Sequence, residues 1–350
     1  MWPYWLMFGA PALVSLPSWR LTDASRRVMM VVTALVLILV IGLRDRVGED
    51  WSNYTHMLEN AATQSLGQLL TAKEPGFGLI NWLSLQLGWD QVGVDIFCAL
   101  IFVSGLLTFL IRQKRPWGCL AIATPILVIE LGMSGIRQAC AIGVFCMAMN
   151  AFADRRLTRY LLFVLLAFTF HQSAILFLPL GLFIGGAQGP VSRYRIALAT
   201  GLVLVLVLVF GLKDTSSYNS AYIQQSADVD PAAGALPRIA FNVLAATLFL
   251  VFRKRWVNYP EFRLFWIFSI IVIALMPLEP FFQVAVDRIE YYLIPFQVAV
   301  VMRTAEFFGV RTRAAYLAAV FSGYGFALIT WLSLSPIAKD GWEPYRWILS

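Results

Sequence analysis

Residues 28–54 read VMMVVTALVLILVIGLRDRVGEDWSNY. From Val28 to Leu43 no side chain is charged, while the next seven residues hold Arg44, Asp45, Arg46, Glu49 and Asp50. A long apolar run closed by charges marks a helix crossing a hydrocarbon layer of about 30 Å. Inside that layer every backbone N–H and C=O must be paired within the protein, which favours helices. The same alternation recurs along the chain, with crossings predicted near 2–17, 28–43, 91–111, 117–132, 136–153, 160–171, 172–187, 196–212, 238–252, 262–278, 289–303 and 314–333. That is an all-α polytopic membrane protein with about 12 transmembrane helices, some short or re-entrant. Residues 1–350 form a single integral membrane domain.

Composition agrees. Of 350 residues 59% are hydrophobic and 13% charged, with 26 Phe and 12 Trp, and the mean hydropathy is +0.73. Soluble chains carry about 25% charge, so a soluble globule, a disordered chain and a coiled coil are excluded. The net charge of +7 and pI near 9.4 do not indicate nucleic acid, because that footprint requires a basic face on a soluble domain. Met1 to Leu16 is apolar with no basic residue before it. A secretory signal carries its charge in front, so a first helix with an outer N-terminus is expected. Cys98, Cys119, Cys140 and Cys146 lie within apolar runs without metal-ligand spacing and read as small core residues.

Basic clusters flank 160–187, so a single helix there would place them in opposite compartments; a hairpin with its tip near Phe170–Gln172 is expected instead. By the same parity, Phe77–Leu87 is a re-entrant or interfacial piece. The resulting inner segments hold 18 cations against four anions (Asp23, Asp154, Glu261, Glu306), and the outer ones nine cations against 16 anions. This satisfies the rule that Lys and Arg concentrate in cytoplasmic loops. Two long polar insertions, 44–76 and 213–237, fall outside. In the first, Trp51, Tyr54, Met57, Leu58, Ala61, Leu66, Leu69 and Leu70 recur every three to four residues, the pattern of an amphipathic helix lying on the membrane.

The outer cations are the informative ones, since topology disfavours them there. Arg44, Arg46 and Asp50 open the first outer loop, Glu74 precedes Pro75-Gly76, Arg137 follows Ser134-Gly135, His171 occupies the second hairpin tip, and Asp287, Arg288 and Glu290 lead into Tyr291 and Tyr292. Ionisable groups at or in a bilayer are expensive and point to function, and one outward-opening polar cavity would explain them together. Structural readings stand beside this. Arg44 and Arg46 are helix-end anchors paired with Asp45 or Glu49, His171 is a satisfied core histidine, Asp287 and Arg288 form a local ion pair, and Trp342, Tyr345 and Trp347 make an interfacial aromatic belt. Arg137 has no acid nearer in sequence than Glu130.

No HExxH, Walker-type glycine loop, GxSxG or Cys/His metal spacing is present. Arginines with a few carboxylates at one membrane face suit a lipid-linked diphosphate. Guanidinium forks bind phosphate oxygens and stabilise a phosphate leaving group, while a carboxylate or His takes a proton from an attacking hydroxyl.

The stretch Gly42-Leu43-Arg44-Asp45-Arg46-Val47-Gly48-Glu49-Asp50-Trp51-Ser52-Asn53-Tyr54 resembles the opening motif of the EpsG family of Wzy-like exopolysaccharide polymerases, roughly G-L-R-x-x-x-G-x-D-aromatic-x-x-Tyr. Glu74-Pro75-Gly76-Phe77, Arg137-Gln138, Phe170-His171-Gln172-Ser173, the Arg288–Tyr292 segment and Trp342-Glu343-Pro344-Tyr345 are similar to later family motifs in order and spacing. Trp51 departs from the family's frequent Tyr, and 196–262 matches only in hydropathy.

The resemblance implies a GT-C-like bacterial inner-membrane glycosyltransferase with its active site facing the periplasm or exterior. It would join undecaprenyl-diphosphate-linked oligosaccharides, donor to acceptor, with no cofactor and no metal. Expected partners are the lipid bilayer and, within the same pathway, a chain-length regulator and a flippase; nucleic acid is not one. Carried onto matched positions, Arg44, Arg137 and Arg288 would hold the diphosphates. Asp50 would be the general base, with His171 second, and Glu74 would orient a hydroxyl or an arginine. Trp51, Tyr54, Gln138, Asp287, Tyr291 and Tyr292 would face sugars or head groups. Rival readings are a lipid-linked oligosaccharide flippase, with its site near the midplane, an acyltransferase using His171 as base, and a glycan ligase of nearly the same chemistry.

Overall fold

The computed structural model describes residues 1–16, 22–185, 193–206 and 235–348. Its helices are α1 (Trp2–Ser15), α2 (Asp23–Gly42), α3 (Trp51–Ala62), α4 (Leu66–Leu70), α5 (Pro75–Leu87), α6 (Asp90–Leu110), α7 (Pro116–Ala123, continued by a π-helical segment Thr124–Leu131), α8 (Ile136–Ala153) and α9 (Leu157–Phe170). A 3₁₀ segment Gln172–Phe183 follows, then α10 (Arg193–Leu206), α11 (Ala235–Val251), α12 (Phe262–Leu275), α13 (Gln283–Thr304), α14 (Val310–Leu334) and α15 (Pro336–Trp342). Among the described residues there is no strand, only an isolated bridge between Arg44 and Trp347.

Among the described residues five helical stretches are long and apolar enough to cross a membrane: Ala24–Gly42, Asp90–Leu110, Ile136–Ala153, Phe262–Phe281 and Val310–Leu334. The shorter apolar stretches are Pro116–Leu131, Leu157–Phe170, Gln172–Phe183 and Pro237–Val251. The protein is therefore a multi-pass, all-helical membrane protein. The expected crossing at 196–212 is described only to Leu206, and most of the expected outer loop 213–237 lies outside the described residues. The hairpin expected at 160–187 is present as far as the described residues run, to 185. Tyr160 on α9 donates its hydroxyl to the Phe177 carbonyl 2.5 Å away on the returning 3₁₀ segment. At about 2.0 Å rise per residue, twelve 3₁₀ residues reach about 24 Å. The stretch 77–87 forms α5, whose 13 residues reach about 20 Å, less than the hydrocarbon layer.

Two expectations are corrected. The surface helix of the first outer loop is two helices, α3 and α4, rather than one. Ser65 breaks the run, accepting from the Gln68 backbone while the Gln68 side chain accepts from Ser65, a reciprocal cap that starts a new helix. Of the C-terminal aromatics, Trp342 and Tyr345 are not part of an interfacial belt. Trp342 is buried, its indole Nε1 donating to the Ile129 carbonyl at 3.1 Å. Tyr345 donates to the Val40 carbonyl, and Ile348 N–H to that of Leu43. The C-terminal segment is a clasp over the α2–α3 loop, held there because its backbone and ring N–H groups find carbonyl partners.

α6 and α8 form the spine of the bundle and run parallel. Cys98–Cys140, Thr108–Asn150 and Arg112–Asp154 are all 42 residues apart and in contact. A Cβ on Gly105 would run into the Gly143 backbone, so these two glycines let the backbones touch, a common device where lipid supplies no hydrophobic drive. α13 is buried almost continuously from Glu290 to Thr304, because the other helices enclose it.

Charged groups segregate to the two ends of the bundle. Arg112–Asp154, Arg115–Glu306, Arg313–Glu306 and Arg303–Glu261 join groups assigned to the inner segments. Arg44–Asp95, Arg137–Glu74 and Arg238 with Glu130 and Asp287 join groups assigned to the outer ones.

Candidate active site

At the outer end, loops that the sequence scatters over more than 200 residues meet. Glu74 closes the α4–α5 turn, immediately before Pro75 at the first helical position, where proline loses no hydrogen bond. Arg137 stands in the first turn of α8, where a cation opposes the helix dipole. Glu74 compensates it: Arg137 Nη1 donates to Glu74 Oε2 at 2.6 Å, and Glu74 Oε1 accepts from the Gln172 backbone at 3.4 Å. One carboxylate thereby ties α5, α8 and the His171 turn together. The guanidinium also lies 5.8 Å from the Tyr54 ring centroid and 5.9 Å from that of Phe77. Its Nε is buried without a hydrogen-bond partner.

Asp50 enters from the turn before α3. Gly48 (φ +107°) makes that turn, and a Cβ there would run into the Met133 carbonyl. The Asp50 backbone N–H donates to Ser134 Oγ at 3.2 Å, and Asn53 Nδ2 donates to its carboxylate at 3.2 Å. Burial pushes the Asp50 carboxyl above the usual carboxylate range, while the Asn53 amide and the charges of Arg137 and Arg288 pull it back. The same two arginines act on His171, so Asp50, His171, Arg137 and Arg288 share one electrostatic neighbourhood. His171 Nδ1 lies 2.6 Å from Ser173 Oγ, which donates to the Tyr292 hydroxyl at 3.2 Å. Gln138 Nε2 donates to the Arg288 carbonyl at 2.8 Å, fixing the start of α13 against α8.

A second cluster adjoins these groups. Arg238 at the start of α11 pairs with Glu130 and Asp287 and lies 4.7 Å from the Tyr291 ring centroid. The Tyr291 hydroxyl donates to Glu130 at 2.9 Å. Asp287, read from the sequence as a local partner of Arg288, is engaged by Arg238; adjacent residues on a helix point apart. Beside them Glu290 is buried, both carboxylate oxygens lacking a hydrogen-bond partner. This cluster holds more acid than base, whereas the first balances Arg137 and Arg288 against Asp50 and Glu74. An anionic ligand therefore favours the first cluster.

Arg44 stands apart from both clusters. Only 2% exposed, it donates to Asp95 at 2.9 Å and to the Ile41, Val47 and Met133 carbonyls at 2.5, 3.1 and 3.0 Å. The fork that matches a diphosphate is here occupied by the α2–α3 turn, so Arg44 is a strut of the scaffold. Nor do the tyrosines present open faces to a sugar. Tyr54 is buried against Phe77 and Arg137, Tyr291 against Arg238, and Tyr292 against Phe145 and Phe177. Each ring lies packed beneath or beside the charged groups, where its burial fixes their position. Trp51 is half-buried, with the Arg46 guanidinium 5.9 Å from its ring.

Arg238, Glu130, Ser134 and Ser173 do not stand out in the sequence as site residues. Glu130 does carry a signal, a carboxylate between Ile129 and Leu131 in an apolar run, which membrane energetics marks as functional. Ser173 falls within the Phe170–Ser173 motif without a role of its own being legible, and Ser134 carries no such signal.

The family model described as EpsG family matches residues 27–347. No curated protein and no solved structure matches the chain.

Proposed function

Because the chain belongs to the EpsG family of Wzy-like exopolysaccharide polymerases, we propose that it is a membrane glycosyltransferase joining polyprenyl-diphosphate-linked oligosaccharide repeat units. In this reading about 12 crossings form a GT-C-like body in a bacterial inner membrane, with the first cluster facing outward. The observation that carries it is the meeting of Arg137, Glu74, Asp50 and His171 with Arg288 at one end of the bundle.

The acceptor sugar hydroxyl attacks the anomeric carbon of the donor glycan. A new C–O bond forms, the bond from that carbon to the diphosphate oxygen breaks, and the lipid diphosphate leaves with the electron pair. Arg137 and Arg288 hold the diphosphate and meet the charge growing on it, a role in which preorganised cations are worth most. Glu74 positions Arg137. Asp50 takes the hydroxyl proton, helped by a raised pKa that makes it a better base than an exposed carboxylate, with His171 the alternative acceptor. A flippase would place its charged groups near the midplane on broken helices, and these groups instead meet at one end of the bundle.

Purified protein in nanodiscs, given a defined lipid-diphosphate-linked repeat unit and no nucleotide sugar, should produce a ladder of polymer on a gel. A unit that disappears from one leaflet and appears in the other without elongation would overturn the reading in favour of transport.

A further inference from the structure

Beside the first cluster, on the outer flank of the bundle, α4, α5, α6 and α9 enclose an apolar groove of about 490 Å³. Its walls include Leu79 and Leu83 from α5, Leu100 and Ile101 from α6, and Leu166 and Phe170 from α9. Leu79, Leu83, Leu100 and Leu166 are each more than a third exposed, an exposure that suits hydrocarbon rather than water. The groove exists because α5 is too short to cover α6. α5 packs along the outer half of α6, where a Cβ at Gly93 would strike Ser84, and its first turn is pinned to α9, where a Cβ at Gly76 would strike Thr169.

The groove also has a defined head. Pro75, Gly76, Thr169 and Phe170 line it, and their chain neighbours are Glu74 and His171 of the first cluster. Arg137 does not itself line the groove: it is paired with Glu74, whose chain neighbour Pro75 does, and its guanidinium lies 5.9 Å from the Phe77 ring centroid. A lipid lying in the groove thus brings its anionic head group toward the Arg137–Glu74 pair, which adjoins the lining through Pro75.

We propose that this groove seats the head-proximal isoprene units of the lipid-diphosphate substrate while its diphosphate lies against Arg137. This rests on the glycosyltransferase reading for its ligand. The volume lies within the roughly 300–1,000 Å³ of small-molecule pockets, so it holds a short length of the chain, and the rest lies in the bilayer. Because lipid tails are as apolar as leucine, the groove gains little from hydrophobicity itself. Its contribution is shape, since a branched, kinked isoprene chain fills the irregular wall more closely than a straight acyl chain, and this places the diphosphate. Specificity for chain type, more than affinity, is the expected signature.

The test uses the full-length protein in phosphatidylglycerol nanodiscs with a photoreactive polyprenyl diphosphate that carries no sugar, so labelling does not depend on turnover. Crosslinks should map to the segments containing Leu79, Leu83, Leu100 and Leu166, and excess unlabelled polyprenyl diphosphate should remove them while excess phosphatidylglycerol does not. Leu83→Trp and Leu100→Trp, both lipid-facing changes, should lower labelling about tenfold, with Leu162→Trp, a lipid-facing leucine on α9 outside the groove, unchanged. Labels elsewhere, or equal competition by phosphatidylglycerol, would overturn the proposal and make the groove a site for ordinary membrane lipid. Groove labelling with no polymer formed from a complete lipid-linked unit would retain the groove and sink the polymerase reading instead.

Discussion

Arg44→Ala separates a strut from a substrate ligand. In the native protein Arg44 and Asp95 have side chains only 1% exposed and lie 2.9 Å apart. Three backbone carbonyls, of Ile41, Val47 and Met133, complete the Arg44 shell. Removing the guanidinium leaves a buried carboxylate and those carbonyls without their donor. Breaking one side of such a pair costs about 3–5 kcal/mol, which for a chain of this size lowers the melting temperature by on the order of 10 °C. Arg44→Met with Asp95→Leu removes both charges and should recover the part of the loss due to the stranded carboxylate, since apolar replacement of a whole buried pair is often near neutral, while the three carbonyls stay unpaired. The assay is thermal unfolding in detergent followed by size-exclusion profile, with polymer synthesis measured on whatever folds. An Arg44→Ala protein that melts like wild type yet makes no polymer would refute the strut and return Arg44 to the diphosphate site.

Arg137→Ala and Arg288→Ala should each lower polymer formation by about 10²–10³-fold, the usual loss of one preorganised stabilising group, with single lipid-linked units accumulating; wild-type polymer in both would end the assignment. Arg137→Lys should not restore activity fully, because an ammonium cannot replace the fork. Asp50 has a raised native pKa through burial, so the acid limb of the rate profile should fall above the ordinary carboxylate range, and Asp50→Asn should abolish that limb along with most of the rate. For stability the sign is that of a proton held more tightly in the folded state. Asp50 contributes below the unfolded pKa of about 4, and the contribution is lost as pH rises through the native value. Arg288→Ala removes a charge that lowers the Asp50 pKa, so residual activity in that variant should show its acid limb at still higher pH. Trp342→Phe leaves the Ile129 carbonyl unpaired and should cost about 1–3 kcal/mol, read as a lower melting temperature; no shift would mean the C-terminal clasp is not anchored there.

Much of the helical body is legible in the order of amino acids. The Val28–Leu43 run, the 160–187 hairpin and the separation of charge between two faces follow from hydropathy and the cost of ionised groups in hydrocarbon. The same reasoning puts Asp50, Glu74, Arg137, His171 and Arg288 on one face. The partner of each charge is not legible. Arg137 finds Glu74 63 residues away, Arg238 finds Glu130 108 residues away, and Arg44 finds Asp95 51 residues away. Trp342 and Tyr345 read as interface residues because aromatic content is all a sequence shows of them.

By itself, then, the sequence determined that this chain is a membrane-embedded helical bundle with charge concentrated at its ends. Transfer to hydrocarbon acts residue by residue, and its sum over a helix is already present in the order of amino acids. Only the tertiary structure decided which arginine braces the scaffold and which is left with an unpartnered nitrogen near an apolar groove. That distinction depends on whether each guanidinium has been saturated by carbonyls and carboxylates brought in from distant turns, and those distances exist only once the bundle has closed.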